Sequence, residues 1–184
     1  MVSLIIYIRH VLHNSVSYKD GGAALLLKVA GLMSALVLIL AATRPWGYIA
    51  VLSAALLYGK RLVRIEPAPR YIAVAALVYG TAFLLDLAFI GPPSYVPPWW
   101  EAVILAPLAE EFVFRALPFA SLPSPLSWIF SVAVFGVLHP ANPLLASLYG
   151  LALSLMYRGG GYAASAALHA FNNAVWLFLA ARGF

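Results

Sequence analysis

Seven stretches of this chain consist almost wholly of apolar side chains, each closed by proline, glycine or a charge. They run over residues 23–43, 46–58, 71–90, 99–119, 126–139, 144–157 and 162–182. The interruptions at 44–45, 66–69, 91–98, 122–125, 139–143 and 159–161 are rich in proline or glycine, the strongest local breakers of regular structure. A helix needs about 20 apolar residues to span a hydrocarbon layer, and fewer where it is short or re-entrant. Composition has the same implication, with 64% hydrophobic and 9% charged residues. An ordinary soluble domain has about 45–50% and about 25%. Too few polar side chains exist to coat a globule of 184 residues, which excludes a water-soluble monomer. The expected fold class is all-α: a polytopic integral membrane helix bundle of about seven transmembrane helices, with short helices around the site.

Residues 1–22 differ from the remainder. Leu4, Ile5, Ile8, Val11 and Leu12 share one helical face, away from Arg9, His10 and His13. The segment is short, is interrupted by Arg9 and lacks a small-residue cleavage site, so it reads as an amphipathic interfacial helix and not as a signal peptide. The transmembrane domain is then 23–184. With the N-terminus inside, the inner loops collect Arg9, Lys19, Lys60, Arg61, Arg64, Arg70 and Arg158, and the outer loops only Arg44 and Arg182. That bias predicts a multi-pass protein of the cell membrane with a cytoplasmic N-terminus. The net charge of +5 is spread among loops, so nucleic acid is not an expected partner. The absence of cysteine excludes disulfides, thiolate metal sites and cysteine nucleophiles.

Against this background, the fourth run carries Glu110, Glu111 and Arg115 near its middle. Each ionisable residue at a helix centre costs about 2.5–3.5 kcal/mol on insertion scales. Their spacing divides their labour. Glu111 and Arg115 are four apart with the acid first, the favourable order for a same-face ion pair. Glu110 points about 100° away and is left the less compensated carboxylate. Pro107 frees a backbone carbonyl one turn back, which is tolerated at membrane depth where a cavity is lined.

Two more polar pairs occupy other runs: Phe135 with His139, and His169 with Asn173, each at i, i+4. A carboxylate, two histidines and an amide suffice for general-base hydrolysis with an oxyanion site. No Gly-x-Ser-x-Gly and no His-Glu-x-x-His occurs, and the only aspartates, Asp20 and Asp86, lack an aspartyl-protease context. Zinc on Glu110, His139 and His169 is chemically feasible, but nothing in the spacing demands it.

The ordered set Glu-Glu-x-x-x-Arg, Phe-x-x-x-His and His-x-x-x-Asn, each on a separate apolar helix, resembles the CAAX-protease and bacteriocin-processing (CPBP, or ABI) family of intramembrane proteases. That family includes the type II CAAX prenyl endopeptidases. The motifs fall on Glu110, Glu111 and Arg115, on Phe135 and His139, and on His169 and Asn173, within a catalytic core of about 99–182. The resemblance implies a glutamate-dependent endopeptidase that requires no metal or other cofactor. Its substrate would be a hydrophobic or membrane-anchored peptide or protein, prenylated CAAX types included. Glu110 and His139 would activate water, His169 and Asn173 would stabilise the oxyanion, and Glu111, Arg115 and Phe135 would support the site. The turn 139–143 would bring His139 to the carboxylate. Three alternatives remain open: a zinc-dependent version of the same protease, a non-catalytic membrane factor such as a bacteriocin-immunity or scaffold protein, and a proton-linked transporter. Asp86 and Asn172 read as packing residues, and no sequence feature sets an oligomeric state.

Overall fold

The computed structural model describes residues 22–58 and 68–183. The amphipathic segment expected over 1–22 lies outside them except for Gly22, as do Lys60, Arg61 and Arg64. Among the described residues all regular structure is helical. Helix α1 covers Gly22–Ala42, α2 Trp46–Tyr58 and α3 Arg70–Phe89. A continuous rod, α4, covers 101–121, and a second, α5, covers 124–137. Helix α6 is Pro143–Arg182 and is kinked at Gly161. Each apolar run of the sequence therefore becomes a helical segment, the last two joined end to end. Two of these helices, Arg70–Phe89 and Pro143–Arg182, are long and apolar enough to cross a membrane. Only 11% and 22% of their most apolar windows are buried, so neither is the hidden core helix of a soluble globule. Leu56, Leu77, Phe89 and Leu144 stand outward among many exposed large apolar side chains, which suits a lipid surround.

Helix α4 departs from α geometry where the sequence compels it. Wide π turns occupy Glu101–Leu105 and Phe112–Ala116, and Pro107 and Pro118 sit just past them. A proline ring clashes with the carbonyl four residues back and brings no N–H, so the turn before it opens. Ala106 N–H donates to Glu101 O, five residues back. Pro107 has no N–H to offer Ala102 O, which is left for another donor. Glu110 and Glu111 lie between these two expanded turns.

The kink in α6 has a local cause as well. Gly161 takes φ +81° and ψ −172°, a conformation that side chains with a Cβ rarely adopt. Upstream, Asn142 caps the start of α6 by accepting from Leu145 N at 3.2 Å. Gly150 lets α6 lie close against α5, because a Cβ there would sit 3.1 Å from Ser131 O and 3.2 Å from the Phe135 ring. Helix α3 packs along α6, and α2 packs on α4. The core joins Val29, Leu32, Met33 and Tyr48 of the first two helices to Phe112, Val113 and Phe114 of α4.

Candidate active site

The interior of the bundle holds a chain of charged groups. Arg115 and Glu111 have no solvent-exposed surface. Arg115 Nη1 donates to Glu111 Oε1 at 2.8 Å, forming the i, i+4 pair, and Nη2 reaches Gly150 O at 3.3 Å. The guanidinium also lies over the Phe135 ring, 4.3 Å from its centroid. His169 Nδ1 donates to the same Glu111 Oε1 at 2.8 Å, and Ser165 Oγ donates to Oε2. Glu111 thus accepts from three side chains on two helices. Such a buried carboxylate is held only because its charge is paired and its lone pairs are occupied.

Glu110, one residue earlier, is also largely buried but is treated differently. Among the described residues its hydrogen bond is a long one, accepted by Oε1 from Tyr48 OH at 3.4 Å. Its Oε2 lies 4.0 Å from His169 Nε2. That gap is too long for a direct hydrogen bond and short enough for one water to bond to both atoms. Glu110 also lines a cavity of about 320 Å³ with Val37, Leu40, Arg44, Leu138 and His139.

His139 is half-buried at the end of α5. Its Nδ1 donates to Phe135 O at 2.7 Å, which leaves Nε2 unengaged. Its ring packs on Phe135 at 4.4 Å, and Phe135 in turn meets His169 edge-on at 6.3 Å. His139 lines the Glu110 cavity together with Pro140 and Ala141 of the turn. It also lines a second cavity, of about 110 Å³, with His169, Asn172, Asn173 and Tyr149. His139 therefore stands between the two spaces, one opening on the carboxylate and the other on the amides.

Asn173 Nδ2 donates at 2.8 Å to Ala102 O, the carbonyl that the π turn and Pro107 leave open. One amide hydrogen is committed there and the other is free. Asn172, read from sequence as a packing residue, donates to Asn173 Oδ1 at 3.5 Å, and its own Oδ1 is buried with no partner. Asp86 accepts from Tyr149 OH at 3.1 Å, which ties α3 to α6 behind the smaller cavity.

Sequence reasoning missed Tyr48, Ser165 and Tyr162. Ser165 also donates to Leu153 O at 2.9 Å, and Tyr162 OH donates to Leu108 O at 2.6 Å. A signal for Ser165 was present, since Ser165, His169 and Asn173 recur every four residues on one face of an apolar helix. Tyr48 offered no such signal. Among the described residues no three histidine or acidic side chains are gathered as a metal would need.

An apolar helical bundle enclosing a paired carboxylate, an open carboxylate and two histidines defines a class of protein with ionisable groups buried among its helices. Residues 92–175 match the family model of the type II CAAX prenyl endopeptidases, Rce1-like. The matched segment is in keeping with the CPBP resemblance and contains every motif residue from Glu110 to Asn173. No curated protein and no solved structure matches the chain.

Proposed function

We propose that this protein is a multi-pass intramembrane endopeptidase of the glutamic type. It hydrolyses peptide bonds in membrane-associated polypeptides, prenylated CAAX-type tails among them. The reading is supported above all by the contrast between adjacent carboxylates, Glu111 saturated by three donors and Glu110 facing a cavity. Glu110 takes a proton from the attacking water as its oxygen bonds to the substrate carbonyl carbon. The lone pair of His139 Nε2 helps to hold that water, since Nδ1 carries the ring hydrogen toward Phe135 O. His169, its Nδ1–H anchored on Glu111, presents Nε2 to the reaction space and donates from it to the oxyanion when the ring carries both protons, and the free amide hydrogen of Asn173 adds a second donor. Collapse of the tetrahedral intermediate breaks the C–N bond, and the proton held by Glu110 passes to the leaving amine. Glu111, Arg115 and Phe135 keep His169 and His139 in place.

The loop charges support a cytoplasmic N-terminus, and the apolar runs support several crossings of the cell membrane. The test is cleavage of membrane-anchored peptides by purified protein in detergent, prenylated and unprenylated, comparing wild type with Glu110→Gln. Loss of cleavage in a variant that keeps its melting temperature is expected. Cleavage at the wild-type rate defeats the reading. Activity is expected to survive chelators; loss on chelation with recovery on zinc addition assigns the zinc-dependent mechanism instead.

A further inference from the structure

The helix contacts put the open side of the site at one end of the bundle. Helix α3 runs antiparallel to the first half of α6: Ala68 N donates to Arg158 O at 3.2 Å at one end, and Tyr149 OH donates to Asp86 at the other. Helix α4 starts at the Asp86 end, where Ala102 O meets Asn173 and the Trp176 ring lies 5.2 Å from Phe83. It finishes at the Arg158 end, where Phe119 stacks on Tyr157 at 5.5 Å. The larger cavity is lined by Glu110 in mid-helix, by Arg44, and by Pro140 and Ala141 of the turn that leads into α6. Arg44, Pro140 and Ala141 are exposed, so the mouth lies at the Asp86 end.

That end also carries the exposed rings of Trp46, Tyr95, Trp99 and Trp100. Such amphipathic rings gather at the boundary between membrane and water. Glu110 follows Trp100 by ten residues, about 15 Å of helix at 1.5 Å per residue. The two ends differ in charge. The loop cations at the mouth end are Arg44 and Arg182. Arg70 and Arg158 mark the opposite end, and Lys60, Arg61 and Arg64 come just ahead of Arg70 in the chain. An excess of Lys and Arg belongs to the cytoplasmic side.

We propose that the cavity opens on the outer face of the membrane, and that the substrate is the extracytoplasmic juxtamembrane segment of an anchored protein, cut about halfway into the hydrocarbon layer. This rests on the reading of Glu110 as the hydrolytic carboxylate and narrows its substrates. A prenylated tail qualifies only where its scissile bond is presented from the outer leaflet. The apolar wall of Val37, Leu40 and Leu138 suits an extended segment drawn below the aromatic belt, away from water.

The chain has no cysteine, so single introduced cysteines report sidedness directly. Ser94→Cys lies in the exposed segment ahead of α4, and Ser124→Cys at the exposed start of α5, which follows α4 at the Arg158 end. With a membrane-impermeant maleimide on intact cells expressing the protein, Ser94→Cys is expected to be labelled, and Ser124→Cys only after permeabilisation. A second arm uses the wild-type chain in sealed membrane vesicles, with an anchored peptide whose polar head cannot cross the bilayer. Cleavage is expected to be at least tenfold faster in right-side-out than in inside-out vesicles, and the difference to vanish in detergent. This arm needs no variant and stands where a cysteine variant fails to fold.

Labelling of Ser124→Cys and not of Ser94→Cys in intact cells overturns the inference, as does cleavage that is equal in the two kinds of vesicle or faster in the inside-out ones. The two claims fail separately, because labelling does not depend on activity. Wild-type cleavage by Glu110→Gln, or no cleavage of any peptide in detergent, defeats the catalytic reading and the substrate with it, while the direction of the cavity is still decided by the label.

Discussion

On one side of α4, the Glu111 carboxylate accepts hydrogen bonds from Arg115, His169 and Ser165 and is shut away from solvent. A turn of about 100° around the same helix, Glu110 meets a long contact from Tyr48 and an open cavity. The two carboxylates share a chemistry, a helix and a depth. Their difference comes from partners on α2 and α6. Satisfied polar groups make a rigid frame, and an under-satisfied one remains available to substrate and water. A membrane enzyme needs both, because the frame must hold charge inside an apolar bundle before any neighbour can use it.

Substitutions can break this contrast. The largest effect is expected at Glu110→Gln, with cleavage lowered about a hundred- to ten-thousandfold, the usual contribution of a positioned general base, at unchanged melting temperature. Glu111→Ala should act on the frame instead. It strands the Arg115 charge, and removing one partner of a buried ion pair costs about 3–5 kcal/mol. Thermal unfolding in detergent should show that loss, and adding Arg115→Met should recover part of it, since both charges are then gone. Equal stability losses at Glu110 and Glu111 would erase the proposed division. Asn173→Ala should leave Ala102 O without its side-chain donor and cost about 1–3 kcal/mol of stability besides activity. The smallest change is expected for Tyr48→Phe, whose bond to Glu110 is long; a loss of cleavage under tenfold, with stability nearly intact, would sharpen the picture of Glu110 as loosely held.

The apolar runs were legible because helix-forming stretches and their Pro and Gly breaks are local properties of the chain. The π turns of α4 were only half legible. Pro107 announced a freed carbonyl, but that Ala102 O would be met by Asn173 depends on a contact 71 residues away in sequence. The Arg115–Glu111 pair could be read from i, i+4 spacing, whereas the contact of Tyr48 with Glu110 crosses 62 residues and leaves no periodic trace. The spacing joined His169 to Asn173 but did not tell that His169 also links both glutamates. Local rules reach one helix face at a time, and the site is made where three faces meet.

The bend at Gly161 has a consequence for precision. His169 lies about 12 Å along the helix beyond it, at 1.5 Å per residue, so the second half of α6 is a lever arm with the imidazole near its tip. A change of about 5° at the fulcrum moves that ring by about 1 Å, a misplacement that can cost an enzyme on the order of a hundredfold in rate. The Ser165 hydroxyl, bonded to Leu153 O before the bend and to Glu111 beside it, is the stop that limits the swing. The tolerance on a single backbone angle, together with the imidazole's bond to Glu111, then governs how far the reacting groups can drift apart.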